Sequence, residues 1–158
     1  MNAELAIDIF SDIVCPWCFI GTRRLESVLD SLDDEGKVVV RHHPFLLHPD
    51  APPEGLDLRQ TLADRYGVDP SSMLHRVEAA ARESGIPLDL SKQPRTYSTI
   101  AARTLLRHAE RKGTQRALHE ALFTAYFLDG RNIADPAVLS DVAARRFCTG
   151  RGKASRRR

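Results

Sequence analysis

At 158 residues the chain suits one domain of ordinary size, and an apolar share of 42% is enough for a core. No stretch approaches the roughly 20 apolar residues that span a bilayer, and residues 1–10, with Glu4 and Asp8 and no basic run, do not read as a secretory signal. The net charge of +2 belongs to residues 148–158, which carry five basic side chains and no acid; the remaining 18 basic residues face 21 acidic ones, so the body is slightly acidic and offers no nucleic-acid surface.

Leu5, Ile7 and Ile9 alternate with Ala6, Asp8 and Phe10. That period of two predicts a strand over residues 5–10 with at least one buried face. The stretch that follows, residues 11–21, reads S-D-I-V-C-P-W-C-F-I-G and holds two of the chain's three cysteines, Cys15 and Cys18. Apolar positions then recur at Gly21, Leu25, Val28, Leu29 and Leu32, a helical spacing that stops at Gly36. Strand, Cys-x-x-Cys, helix is the redox-site order of a thioredoxin-like βα unit. In a cytoplasmic protein, the compartment expected here, such a pair is more often catalytic or metal-binding than a structural staple.

The spacing has a chemical reason. A sulfur at the helix cap sits over free backbone N–H groups at the positive end of the dipole, which favours thiolate over thiol. Pro16 suits the first helical position, where its missing N–H would be unpaired anyway. Trp17 is expected to face solvent or a client. Cys18 lies one turn below, within disulfide reach. Cys15 is therefore expected to be the exposed attacking thiol and Cys18 the sheltered resolving one. Asp12 either steers a proton or forms a turn or cap. Two plainer readings compete. A closed zinc site needs four ligands, and the rest of the chain offers Cys148 and scattered histidines, of which the adjacent His42 and His43 are poorly spaced. Two inert buried thiols are the other reading; the helix-start position and Pro16 argue against it. No metal is expected.

Val38, Val39 and Val40 predict a strand buried on both sides and continuing towards Phe45. The resulting β-α-β unit is expected to be parallel with a right-handed crossover. Residues 44–55 hold Pro44, Pro49, Pro52 and Pro53 and read as an extended connector in which His48 is structural or solvated. Helices are predicted over 58–66, ended by Gly67; over 70–84, opened by Asp69-Pro70 and ended by Gly85; over 97–112, ended by Gly113; and from Thr114 through Leu128. Residues 86–90 look extended. Asp135-Pro136 opens a last helix through Phe147. The basic segment from Cys148 onwards reads as a solvated, disordered tail with a free thiol.

With these motifs in place, the chain resembles the DsbA-like thioredoxin superfamily, nearest its FrnE-type branch, which also contains the 2-hydroxychromene-2-carboxylate isomerases. The resemblance rests on residues 11–21, on H-P-F-L-L-H-P at 43–49, and on A-L-F-T-A-Y-F-L-D-G-R-N-I-A-D at 121–135. It implies an α/β thioredoxin fold with a large all-helical insertion: residues 1–54 form the N-terminal β-α-β and connector, 55–147 the insertion, and 148–158 the tail. It implies thiol–disulfide exchange with protein clients or glutathione, with Cys15 as nucleophile, Cys18 as resolving partner, and no organic cofactor beyond the redox-active disulfide. Members of the branch that isomerise usually carry serine where Cys15 stands, so redox chemistry is expected over glutathione-dependent isomerisation. Where the branch has histidine-arginine, this chain has Ala102-Arg103. Nothing after Pro136 supplies the strand, preceded by a cis-proline, that completes the fold, so its C-terminal strands and helix are expected to be missing. An open sheet edge would follow, and with it a homodimer or an inactive binding module as rival outcomes.

Overall fold

The computed structural model describes residues 5–32 and 38–149, with side chains through residue 145. The expected stop at Gly36 and the segment 150–158 lie outside the described residues. Strand β1 (Leu5–Ser11) pairs with β2 (Val38–Pro44) in parallel, in a register that sets Leu5 opposite Val38 and Ser11 opposite Pro44. Helix α1 (Pro16–Ser31) connects them. The expected β-α-β unit is thus present, with Pro16 in the first turn of α1 as its missing N–H requires.

The valines of β2 depart from expectation. Val38, Val39 and Val40 are half-buried rather than covered on both sides. An open groove of about 1050 Å³ separates them from Leu25 and Leu29 of α1. The outer half of α1 leaves Val28 and Leu32 exposed, and Leu5 and Phe10 of β1 are exposed too. Among the described residues, β1 has a strand neighbour on one side only.

The core lies instead where the first turn of α1 enters the helices. Phe19 is stacked between Phe123 and Phe127, with ring centroids 5.1 and 5.4 Å away. Ile13, Ile20, Leu122 and Tyr126 close around this group. Arg24 ties the same helix to Ser84 and Ala80, and Arg116 reaches Glu26 and Asp30.

The helices follow in the expected order: α2 (Leu58–Tyr66), α3 (Ser71–Glu83), α4 (Ile100–Glu110), α5 (Gln115–Phe123) and α6 (Pro136–Thr149). Four details correct the sequence reading. Residues 95–96, β4 (Arg95–Thr96), pair antiparallel with β3 (Leu56–Asp57). Helix α4 starts at Ile100 rather than 97, because the Thr99 hydroxyl is spent on Asp12 and the preceding residues are held by β3. Beyond α5 the chain widens into one π-helical turn, Thr124–Leu128; Gln93 donates to the Tyr126 and Arg131 carbonyls there. Finally, α6 runs to Thr149, so Cys148 is in the helix rather than at the start of a tail.

Candidate functional site

The loop between β1 and α1 carries the site. Cys15 caps α1 in extended conformation, its N–H donates to the Asp12 carbonyl at 3.1 Å, and its carbonyl accepts from Phe19. Both Cys15 and Cys18 are free thiols and both are half-buried. The expected contrast between an exposed Cys15 and a sheltered Cys18 is therefore not one of overall exposure. It is one of direction: Cys15 lines a cavity with Pro16 and Trp17, whereas Cys18 packs against the core. Trp17 is 51% exposed, as expected of that position.

Charge is distributed differently from the simple cap argument. The Cys15 thiol donates to the Cys18 sulfur, and this hydrogen bond is the largest of the causes that together lower Cys18 to about 7: the Asp12 N–H and the Arg103 guanidinium add to it, while burial and the Asp12 carboxylate oppose it. Cys15 is raised, first because it is the donor of that bond, then by burial. Its sulfur makes no full capping hydrogen bond, though the amides of Cys18 and Trp17 favour its anion. The pair loses its first proton as a unit, and the resulting negative charge is shared across the hydrogen bond between the two sulfurs.

Asp12 is 1% exposed and sits directly below the pair. Its Oδ2 accepts from the Leu47 N–H at 2.7 Å, and its Oδ1 accepts from the Thr99 hydroxyl at 2.7 Å. Arg103 of α4 places Nη2 3.5 Å from the same Oδ1 and also donates to the Ser11 carbonyl. A buried carboxylate needs partners of this kind. Asp12 therefore does more than shape a turn: it joins the β1–α1 loop, the connector and α4 at one point.

Arg103, Thr99 and the Leu47 amide were not singled out as site residues by the sequence. The available signal was an arginine on the face of α4 that also carries Ala102, Leu106 and Ala109, all buried. His48 was expected to be solvated or structural. It is half-buried on the wall of the Cys15 cavity, and burial together with Arg65 lowers its pKa, so the ring is neutral at pH 7. Among the described residues, no three histidine, cysteine or carboxylate side chains are grouped to share a metal ion, and no helix is long and apolar enough to cross a membrane.

A parallel strand pair joined by a helix that opens on Cys-Pro-Trp-Cys is the arrangement of a thioredoxin-like protein. Within that class the chain belongs to the DSBA-like thioredoxin domain family, whose model matches residues 6–146. It is 26% identical over 138 residues to the uncharacterized protein YwbO of Bacillus subtilis (strain 168), covering 87% of this chain and 64% of that protein. It is 27% identical to the probable DsbA oxidoreductase SCO1869 of Streptomyces coelicolor, with a TM-score of 0.78 over 89% of this chain and 62% of that one. The cytosolic disulfide reductase DsbM of Pseudomonas aeruginosa, in its structure with GSH, shares the fold at 17% identity, with a TM-score of 0.63 over 94% of this chain and 67% of that one. The chain thus spans a little under two-thirds of the first two relatives.

Proposed function

We propose that the chain is a thiol–disulfide oxidoreductase in which Cys15 attacks client disulfides and Cys18 resolves them. The observation that carries this reading is the hydrogen-bonded thiol pair at the mouth of α1, with Cys15 facing a cavity and Cys18 packed against the core. Transfer of the Cys15 proton across that bond to the Cys18 sulfur leaves an attacking thiolate at the cavity wall. It forms a bond to one sulfur of the client disulfide, and the other sulfur leaves as a thiolate that takes a proton from water. Cys18 then attacks Cys15, releasing the second client thiol and leaving a Cys15–Cys18 disulfide, with the client reduced and the pair oxidised. A thiol reductant such as glutathione resets the pair, and the same steps reversed oxidise a dithiol client.

Arg103 is committed to Asp12 and the Ser11 carbonyl, so glutathione would be held by other groups. Cysteine rather than serine at position 15 supports redox chemistry over isomerisation of an aromatic substrate. The test is dithiothreitol-driven reduction of insulin, together with trapping of a mixed disulfide in Cys18→Ser. Turnover that is lost in Cys15→Ser, and a client adduct on Cys15 in Cys18→Ser, are the expected results. Turnover that survives Cys15→Ser would overturn the assignment. A second reading, self-association through the sheet, is favoured by the exposed Leu5 and Phe10 on β1; a monomeric mass by light scattering at micromolar concentration would reject it.

A further inference from the structure

The cavity beside Cys15 has a size, a lining and a charge that together specify an occupant. Its volume is about 230 Å³, below the roughly 300–1,000 Å³ of pockets that enclose a whole small molecule and suited to one large side chain. Its wall is mostly carbon, from Val14, Leu62, Leu74 and Phe127. No carboxylate lines it. Two arginines do: Arg65 from the last turn of α2 and Arg76 from α3, both solvent-exposed on their outer sides.

The two guanidinium groups at this cavity are free of carboxylate partners among the described residues. Arg103, Arg116 and Arg131 are each paired with a carboxylate. Among the described residues, neither Arg65 nor Arg76 has an ion-pair or hydrogen-bond partner. Burial keeps the nearby His48 neutral, so the positive charge of this wall is theirs alone. Unpaired arginines beside an apolar hollow fit a ligand with an apolar group and a carboxylate, since exposed guanidinium groups recognise carboxylates through paired N–H donors.

We propose that this cavity is a client-specificity pocket: it takes one bulky apolar side chain flanking the attacked cysteine of a polypeptide, while Arg65 and Arg76 hold an acidic residue of the same segment. The proposal rests on Cys15 being the attacking sulfur, because Cys15 forms part of the wall. Preferred clients are then disulfide-bonded segments that carry phenylalanine or leucine next to cysteine, followed by glutamate or aspartate.

Trp17 is the only tryptophan of the chain and lines the cavity, so it reports occupancy without any chemistry. Three hexapeptides with serine in place of cysteine would be titrated against the reduced full chain while Trp17 emission is followed: one with phenylalanine and glutamate, one with alanine and glutamate, one with phenylalanine and lysine. The first should bind at least about tenfold tighter than the alanine peptide, the factor expected from burying a phenyl ring. It should bind about three- to fivefold tighter than the lysine peptide, the scale of exposed charge pairing. Arg65→Glu/Arg76→Glu, with folding checked by circular dichroism, should invert the glutamate–lysine order. Equal affinities for the three peptides, or an order unchanged in the double variant, would overturn the proposal. Reduction of neutral bis(2-hydroxyethyl) disulfide by the unaltered chain is measured in parallel: its absence strikes the proposed redox function, and the Trp17 titration still decides the pocket.

Discussion

The guanidinium of Arg103 lies 3.5 Å from the carboxylate of Asp12, with both side chains withdrawn from solvent and the two residues 91 positions apart in the chain. This pair fastens the loop that carries the cysteines to the helical layer. It also brings a positive charge to Cys18, whose ionisation it favours, while the Asp12 carboxylate opposes it.

Arg103→Met therefore has two readable consequences. It strands Asp12 as a buried anion with only Thr99 and the Leu47 amide as donors, at a cost of about 3 kcal/mol or more in unfolding free energy. It also removes a cation from Cys18, so the first thiol ionisation moves above about 7. Urea unfolding checks the first and the pH dependence of thiolate absorbance at 240 nm the second. Replacing both partners, Asp12→Leu/Arg103→Met, should cost less than Arg103→Met alone, because no buried charge is left unpaired. A loss below about 1 kcal/mol in Arg103→Met would show that the pair does not fasten the loop.

The thiol pair makes a separate prediction. The leading cause of the low Cys18 value is the hydrogen bond from Cys15. Cys15→Ala removes the donor, and Cys18 should rise from about 7 towards its ordinary value of 9.0. Cys15→Ser keeps a donor at the same place and should retain most of the lowering. Iodoacetamide alkylation rates across pH 5–10 distinguish the two variants. If Cys18 stays near 7 in Cys15→Ala, the Asp12 amide and Arg103 govern its charge instead.

The sequence displayed the site's two sulfurs plainly, because a cap, a proline and a two-residue spacing are local signals. It displayed the helix boundaries nearly as well: Gly67 adopts the left-handed conformation that ends α2, and the carboxylates of Asp69 and Asp135 accept from the amides two residues on. What remained hidden depends on contacts across long separations. The role of Asp12 and the burial of Arg103 both follow from α4 folding back on the end of β1, and no local pattern encodes that approach. The β2 valines misled for a related reason: three β-branched residues report strand propensity, while burial depends on what covers the strand. The π-helical turn escaped because its apolar run satisfies the α and π spacings alike.

Gly55 connects these parts through the backbone. Its φ of +77° is unfavourable for residues with a side chain, and a Cβ there would lie 2.6 Å from two ring atoms of Tyr97 and 2.7 Å from the Thr96 carbonyl oxygen. Arg95 also donates to the Gly55 carbonyl at 2.8 Å. Gly55→Ala should therefore cost about 3 kcal/mol, as strain and overlap combine. Gly67→Ala, at φ +67° with open space around it, should cost only about 1 kcal/mol. Thermal unfolding of the two variants side by side tests whether the Tyr97 contact, beyond the backbone angle, demands glycine.

His119 sets the response to acid. It is 1% exposed on α5, its ring centroid is 4.4 Å from that of His42, and its Nε2 has no hydrogen-bond partner. Burial, then His42 and Arg103, push its pKa down to about 3 from an ordinary 6.5. His42 is lowered as well, chiefly by burial, with Arg103, His43 and Arg116 adding to it. A depressed histidine means that the unfolded chain binds the proton first. Stability is then intact above about 6.5 and falls as pH drops from there towards about 3. At pH 5 the loss from His119 alone should reach about 2 kcal/mol. His119→Leu keeps the volume, removes the orphaned nitrogen and abolishes this uptake, so the variant should lose less stability than the parent between pH 7 and 5. Urea midpoints at the two pH values decide it: an unchanged acid slope in His119→Leu would mean that other groups, such as the paired carboxylates, bind the destabilising protons.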